Sequence, residues 1–205
     1  MLLKLAGMVI IRAAEATEAA ELAKILSEAF RDDPAWSVYF PDPATRPRKL
    51  EAHYRGRISR KPEVVDVAVD EGELLGALLW EAPRDNSRVA AVLRSCARAG
   101  NRIMSRLPGG RGVAHTLAVE AYRPSEPHWY LHDIAASPKA RGRGIGSALL
   151  THRLGMIDAH ETTLAALEAT TPGSRRLYER FGFEAVGQAP SQPDQASTIM
   201  VRRPA

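Results

Sequence analysis

The chain has 205 residues, 45% of them hydrophobic and 25% charged, with a formal net charge of +4. The composition is ordinary for a soluble globular protein, and the length suits a single domain over 1–205. A disulfide framework is excluded because Cys96 is the only cysteine. No apolar run reaches the ~18 residues of a membrane span, and no Cys/His cluster has zinc spacing. We therefore expect a cytoplasmic protein without a membrane partner or a metal.

The first part of the chain predicts strands and helices in alternation. Apolar residues recur at helical spacing in one segment and alternate in another, while prolines mark a break between two helices. The predicted elements are a strand over 9–13, an amphipathic helix over 14–30, a loop over 32–43, a basic helix over 44–60 and a β-hairpin over 63–83.

Two further helices are predicted over 87–107 and 112–122. In the first, arginines recur at four-residue spacing and form a stripe of Arg94, Arg98, Arg102 and Arg106. Such a stripe is usually a solvated face, although it would also suit an acidic substrate. Because aromatic residues are not interleaved with these arginines, we do not expect a nucleic acid partner. His115 and Trp36 are candidates for the wall of a substrate pocket.

The second half predicts buried strands joined by helices. Nearly continuous apolar runs indicate strands buried on both faces, and the strand–helix–strand order predicts a parallel pair. The fold class is therefore mixed α/β (α+β), with an antiparallel first half. The predicted elements are a strand over 128–137, a helix beginning at Ile145, a strand over 162–170, a short helix within 172–183 capped by Gly182, and final strands over 183–186 and 198–202.

Between the first of these strands and its helix lies the stretch "ARGRGIGS", residues 140–147. A helix N-terminus offers backbone N–H groups without intrahelical partners and the positive end of the helix dipole, so it attracts anions. Glycines let the backbone approach a phosphate, and the two arginines add charged donors. The spacing is neither the G-x-G-x-x-G of a dinucleotide site nor that of a P-loop. A pyrophosphate site is predicted, with a purely structural turn as the alternative.

The spacing R-x-x-G-x-G of Arg141, Gly144 and Gly146 resembles the pyrophosphate motif of the GNAT family of N-acetyltransferases. The preceding "IAASP" and the later "LYERFGF", which is similar to the family's Tyr-x-x-x-Gly-Phe, follow in the same order, and the likeness covers about 127–187. On fewer residues, "EPHWYLHDIAASP" and "LLWEAP" resemble the puromycin N-acetyltransferase branch. The resemblance implies a splayed parallel strand pair that binds acetyl-CoA, with about 9–125 shaping the acceptor side.

The resemblance also implies which residues hold acetyl-CoA. The backbone of the splayed strand would pair with the pantetheine arm, and the N–H groups of the glycine turn would hold the pyrophosphate. The family's asparagine before the tyrosine helix is missing, so Thr171 or Ser174 would stand in for it. The acetyl-CoA residues implied are Ile134, Ala135, Ala136, Arg141, Gly142, Arg143, Gly144, Ile145, Gly146, Ser147, Ser174 and Tyr178.

Two side chains have catalytic roles in this interpretation. Tyr178 matches the family's general acid, whose phenol would protonate the departing CoA thiolate; without the match it would be interpreted as a core tyrosine. Glu168, a carboxylate in an otherwise apolar strand, is the candidate base for the amine, and the alternative is a strand-end glutamate that reaches solvent. Asp133 and His132 on the neighbouring strand are rival bases.

These residues predict direct transfer of an acetyl group from acetyl-CoA to the primary amine of a small molecule, without a covalent enzyme intermediate. Backbone N–H groups of 134–136 would stabilise the oxyanion. A protein N-terminus or lysine is the alternative acceptor, since fold similarity does not choose between them. A non-catalytic acetyl-CoA-binding sensor is the alternative class. The sequence leaves open whether the protein is a monomer or a homodimer.

Overall fold

The computed structural model describes residues 9–59, 63–83, 110–160, 163–192 and 195–204. Over these residues, seven strands form one sheet in the order β1-β2-β3-β4-β5-β7-β6. Neighbouring strands are antiparallel except β4 and β5, which are parallel, and this confirms the predicted mixed class. The strands are β1 (Ile10–Ala13), β2 (Glu63–Asp70), β3 (Glu73–Glu81), β4 (His128–Ala136), β5 (Leu164–Ala169), β6 (Glu184–Gln192) and β7 (Gln195–Arg202).

Helices flank the sheet. The helix predicted over 14–30 begins with a 3₁₀ turn, Ala16–Glu18, and a second 3₁₀ turn, Pro138–Ala140, follows β4. The helix predicted over 87–107, with its arginine stripe and Cys96, lies outside the described residues. No described helix combines the length and the apolar character needed to cross a bilayer. The α-helices are α1 (Ala19–Ala29), α2 (Pro34–Tyr39), α3 (Arg46–Ile58), α4 (Gly110–Tyr122), α5 (Ile145–His160) and α6 (Pro172–Glu179).

The segment 32–43, predicted as a loop because of its prolines, contains helix α2, so that prediction is wrong. Pro34 is at the start of the helix, where its missing N–H costs nothing and its fixed φ favours the helix. Asp33 caps the helix, because its Oδ1 accepts hydrogen bonds from the N–H groups of Ala35 at 2.9 Å and of Trp36 at 3.3 Å. The aromatic residues of this segment are therefore held on a helix.

The last two strands, β6 and β7, are longer than the patterns over 183–186 and 198–202 predict. β6 continues through Gly187 and Pro190, and its register against β7 shifts near both residues. Glycine and proline are typical of irregular strand positions, and here they interrupt the alternation by which a strand is recognised in sequence. The two predicted strands are correct in position but too short.

The two faces of the sheet are covered by different helices. On one face α5 packs against the central strands and buries Leu149 and Leu150 completely. This face also contains a buried ion pair, in which Arg153 of α5 donates to Asp66 of β2 with an Nε to Oδ2 distance of 2.7 Å. The opposite face carries α1 and α3 over one apolar cluster and α4 over another. We call these the α5 face and the α4 face.

One glycine sets how closely α5 approaches the sheet. Gly76 of β3 lies opposite Ala136 of β4, and a Cβ built there would lie 2.5 Å from the carbonyl oxygen of Ala135 and 2.9 Å from Cγ2 of Ile145. A side chain at this position would therefore collide with backbone on one side and with α5 on the other. Because Ile145 is the first residue of α5, the missing Cβ fixes where that helix begins relative to the sheet.

Candidate active site at the open edge of the central strand

The parallel ladder between β4 and β5 is short. It joins 128–131 of β4 to 164–167 of β5, whereas β4 remains paired with β3 as far as Ala136. The two parallel strands therefore separate after Leu131, and the β5-facing edge of β4 beyond it carries backbone N–H and C=O groups outside any strand ladder. Such groups require partners. The predicted pantetheine residues Ile134, Ala135 and Ala136 lie on this open edge.

A β-bulge lies where the two strands separate. Leu79 of β3 faces Asp133, but the next residue, Trp80, faces Leu131, so His132 is an extra residue in β4. A bulge breaks the alternation of side chains along a strand. As a result, the side chains of both His132 and Asp133 line the same cavity on the α4 face.

The glycine turn has the conformation that its sequence predicts. Gly142 and Gly144 both have φ of +77°, a left-handed conformation that other residues rarely adopt, and no atom within 4 Å would meet a Cβ at either position. The first helical hydrogen bond of α5 runs from the N–H of Ala148 to Gly144. The N–H groups of Ile145, Gly146 and Ser147 therefore form the free end of the helix, an arrangement that attracts anions.

The two arginines of the turn differ in their surroundings. Arg141 lines the cavity together with Ser174. Arg143 instead donates from Nη2 to Oδ2 of Asp70 at 2.8 Å, so its guanidinium is already engaged by a carboxylate at the end of β2. Of the two predicted phosphate ligands, Arg141 is the one whose side chain lies at the cavity.

The open edge of β4 leads into a cavity of about 850 Å³ on the α4 face. Its wall combines aromatic rings with carboxylates, and no group of three His, Cys, Asp or Glu side chains among the described residues has the arrangement of a metal site. Trp36 lies in this wall, as predicted for a pocket residue, and stacks on Phe40 at a ring-centroid distance of 5.8 Å. The aromatic and carboxylate residues that line the cavity are Phe30, Trp36, Tyr39, Phe40, Tyr130, Tyr178, Glu28, Asp32, Asp33, Glu120, Asp133 and Glu168.

Tyr178 lies on α6 at one side of this cavity and is 5% exposed. Its ring packs against Phe183 in a T-shaped contact with centroids 6.0 Å apart. Burial, with smaller contributions from the nearby charges of Asp133 and Asp33, raises the pKa of Tyr178. The phenol therefore keeps its proton at neutral pH, which is the state that a proton donor requires.

The residues predicted to replace the family asparagine are used to start α6. Thr171 is the N-cap, and its Oγ1 accepts from the N–H of Ser174 at 3.1 Å. Ser174 returns a hydrogen bond from its Oγ to the carbonyl of Thr171 at 2.9 Å. This reciprocal cap fixes the orientation of the helix that carries Tyr178. Both residues also line the cavity.

Glu168, the predicted base, lies on β5 and lines the same cavity. Its Oε1 is 2.9 Å from Nε2 of His115 on α4, and the two side chains are 16% and 1% exposed. The ring of His115 meets that of Tyr39 edge-on at 5.6 Å, and the Tyr39 hydroxyl lies 3.0 Å from Oγ1 of Thr116. His115 thus lies behind Glu168 rather than in the cavity wall where we predicted it.

Two further carboxylates face Tyr178. Asp133, one of the rival bases, accepts a hydrogen bond from the Tyr54 hydroxyl at 2.9 Å. Asp33 accepts one from the Thr170 hydroxyl at 2.6 Å, and burial, as the largest cause, raises its pKa. Asp33 is not among the site residues that the sequence predicted. Its position directly before Pro34, a typical N-cap arrangement, was the signal that could have identified it.

His132, the other rival base, is bonded to a carboxylate. Its Nε2 lies 2.8 Å from Oε2 of Glu81. Burial lowers the pKa of His132 to about 4, against the opposing effect of Glu81. At neutral pH this imidazole is uncharged, and it lines the cavity at the bulge of β4.

Comparisons with known proteins agree with this architecture. A profile of the Acetyltransferase (GNAT) family matches residues 20–183. The structure is similar to that of "histone acetyltransferase HPA2 and related acetyltransferase" from Corynebacterium glutamicum, with 29% identity, a TM-score of 0.71, and coverage of 96% of this chain and 97% of that one.

More distant structures share the fold. One is a polyamine N-acetyltransferase from Drosophila melanogaster that forms N-acetylagmatine, with 18% identity, a TM-score of 0.64, and coverage of 96% of this chain and 100% of that one. Another is arylalkylamine N-acetyltransferase 2 from Aedes aegypti, with 13% identity, a TM-score of 0.69, and coverage of 95% and 98%. The chain therefore shares its fold with a polyamine and an arylalkylamine N-acetyltransferase.

Proposed function

This chain belongs to the GNAT family of acetyltransferases, enzymes that use acetyl-CoA, and we propose that it acetylates the primary amine of a small molecule. The observation that carries the proposal is the cavity at the separated strands, where Tyr178, Asp33, Asp133 and Glu168 meet aromatic rings. A cationic amine is drawn to carboxylates and to the faces of aromatic rings. The cavity therefore has the chemistry of an amine site beside the edge of β4.

We assign the acetyl-CoA side to the open edge of β4 and the glycine turn. The backbone of Ile134, Ala135 and Ala136 is available to the amides of pantetheine, as in the family that the sequence resembles. The N–H groups of 145–147, with Arg141, suit a pyrophosphate. Arg143 contributes less directly in this proposal, because Asp70 already engages it.

We assign the amine side to the aromatic part of the α4 face. Trp36 and Tyr39 on α2, with Phe40 at its C-cap, give it an apolar wall, and Glu168 lines the same cavity from β5. A flat or apolar body with one terminal ammonium group matches this combination better than a chain of several charges. Within the panel below, we therefore expect an arylalkylamine to be a better substrate than a polyamine.

The proposed reaction is a single displacement. Glu168 takes a proton from the ammonium, the amine nitrogen attacks the thioester carbonyl carbon, and a C–N bond forms as the C–S bond breaks. Tyr178 gives its proton to the departing sulfur and is reprotonated from the second amine proton, so one proton is released per turnover. Ordinary phenol and thiol pKa values are about 10 and 8.5. Burial raises the pKa of Tyr178, and the same burial raises the proton affinity of the thiolate.

The test is release of CoA thiol from acetyl-CoA in the presence of single amines. The panel contains 2-phenylethylamine, agmatine, spermidine, puromycin, and a lysine-containing peptide with a free N-terminus. Amine-dependent release with 2-phenylethylamine ahead of spermidine supports the proposal, and puromycin tests the narrower resemblance. Release only with the peptide would move the acceptor to proteins, an alternative that the name of the Corynebacterium glutamicum structure brings in. Binding of acetyl-CoA without release for any amine would favour a sensor.

A further inference from the structure

We propose that His115 is a positioning residue for the proposed base Glu168, an inference that rests on the proposed acetyl transfer. His115 belongs to α4 and Glu168 to β5, and Nε2 of the first lies 2.9 Å from Oε1 of the second. The His115 side chain is 1% exposed and the Glu168 side chain 16%. The imidazole therefore contacts the carboxylate from the protein side, while the carboxylate itself borders the cavity.

The surroundings of His115 hold the ring in place. Tyr39 of α2 meets it edge-on at a centroid distance of 5.6 Å and an interplanar angle of 84°. The Tyr39 hydroxyl lies 3.0 Å from Oγ1 of Thr116, the next residue on α4. Ala118 and Val119 of α4 pack into the apolar cluster of the α4 face. A ring that is buried and fixed by two helices can direct a flexible partner.

A glutamate needs such direction because its side chain has several rotatable bonds. Oε1 of Glu168 is buried and lies 2.9 Å from Nε2 of the imidazole, and we assign Oε2 to the incoming amine. Loss of the contact frees the carboxylate to rotate, so fewer encounters have the geometry of proton transfer. Misplacement of a reacting group by about 1 Å costs on the order of 100-fold in rate. The effect belongs to turnover rather than to substrate affinity.

A purely structural role is the alternative, in which His115 only fills the space between α4 and β5. That role predicts a loss of stability with no special link to Glu168. The proposed role predicts that the cost of removing His115 disappears once Glu168 can no longer act as a base, because two residues that work as one unit are not additive.

The experiment is a double-mutant cycle of His115→Leu and Glu168→Gln, with steady-state kinetics on whichever panel amine has the highest kcat in the wild-type protein. His115→Gln keeps an N–H donor near the position of Nε2. Ala118→Gly is the matched control, since it weakens the same helix at a buried residue that does not line the cavity. Tm and acetyl-CoA affinity are measured for each variant.

We expect His115→Leu to lower kcat by about 10- to 100-fold with less than about threefold change in the KM of the amine, as removal of a supporting residue does elsewhere. His115→Gln should recover part of the loss. In the Glu168→Gln background, His115→Leu should cost less than about twofold.

Equal losses in both backgrounds, or a loss of kcat that Ala118→Gly matches at similar Tm, would overturn the inference and leave the proposed function intact. If His115→Leu does not fold, His115→Gln carries the same comparison. If the wild-type protein releases no thiol with any amine, the proposed function fails and the inference fails with it.

Discussion

The two faces of the sheet bury charged side chains in opposite ways. On the α5 face, Arg153 and Asp66 neutralise each other within the packed core. On the α4 face, the half-buried Asp33 and the buried Asp133 accept hydrogen bonds from the neutral hydroxyls of Thr170 and Tyr54. The first arrangement is an ion pair within the core, whereas the second places carboxylates at the wall of a cavity.

This difference separates a structural use of buried charge from a functional one. A buried ion pair is satisfied by its own members and has nothing to offer a ligand. Carboxylates at the wall of a cavity can attract a cation that enters it. The α5 face thus uses its buried charges for packing, whereas the α4 face carries the cavity to which we assign an ammonium group.

The largest expected effect is a loss of stability on the α5 face. Arg153→Leu leaves the carboxylate of Asp66, 1% exposed, buried without its cation, and we expect the free energy of unfolding to fall by about 3–5 kcal/mol. Denaturant unfolding measures it. The double variant Arg153→Leu with Asp66→Leu removes both charges and should recover most of the loss. A single variant as stable as the wild type would mean that Asp66 is solvated and that the pair is not a core element.

The next effect concerns the proposed acid at the cavity of the α4 face. Tyr178→Phe keeps the ring that packs on Phe183 but removes the proposed acid, so kcat should fall by about 10²–10⁴-fold. Acetyl-CoA affinity by calorimetry and Tm should change little. Tyr122→Phe is the control, because that ring is 44% exposed and does not line the cavity. An unchanged kcat would remove Tyr178 from the proposed chemistry.

A third effect is a pH dependence of stability that arises on the α4 face. In the unfolded chain His132 gains its proton near a pKa of 6.5, but in the folded chain only near 4. Between these pH values the unfolded chain binds more protons, so stability falls as the pH falls, by up to about 3 kcal/mol. His132→Gln should flatten this part of the curve of unfolding free energy against pH. Parallel curves for the two proteins would show that the imidazole titrates normally.

The smallest effect belongs to an ion pair on neither face. Arg175 and Glu179 lie four residues apart on α6. Nε of the first is 2.8 Å from Oε1 of the second, and each side chain is 45% exposed. Arg175→Gln should cost about 0.3–0.5 kcal/mol, and 0.5 M salt should remove most of the difference. A loss comparable with that of Arg153→Leu would contradict the distinction between buried and exposed pairs.

The features predicted from the sequence are those that depend on local spacing. The glycine turn, with Gly142 and Gly144 at positive φ, is encoded by eight consecutive residues. Tyr178 was identified as a candidate from a short helical motif. The positions of the strands along the chain, and the parallel pair, follow from the apolar runs. These features require no knowledge of which distant residues meet.

The features that were missed depend on distant contacts or on an ambiguous signal. The Thr170 hydroxyl donates a hydrogen bond to Asp33, 137 positions earlier, and no local sequence pattern predicts such a pairing. His115 looked like a cavity residue, but the packing of α4 turns it towards Glu168 instead. The prolines of 32–43 suggested a loop, although one of them follows an N-cap aspartate and begins α2. Tertiary packing decided the first two cases, whereas in the third a local N-cap signal competed with the loop signal of the prolines.

Because of Gly76, the glycine turn is harder to transfer to another protein than its short motif suggests. The turn could be copied into another protein as eight residues, but its place in space is set from β3, where a Cβ would strike Ile145 at 2.9 Å. A graft that carries the motif without this strand glycine would begin its helix too far from the sheet edge. Anyone who transplants the turn must therefore also transplant a residue about 70 positions away from it.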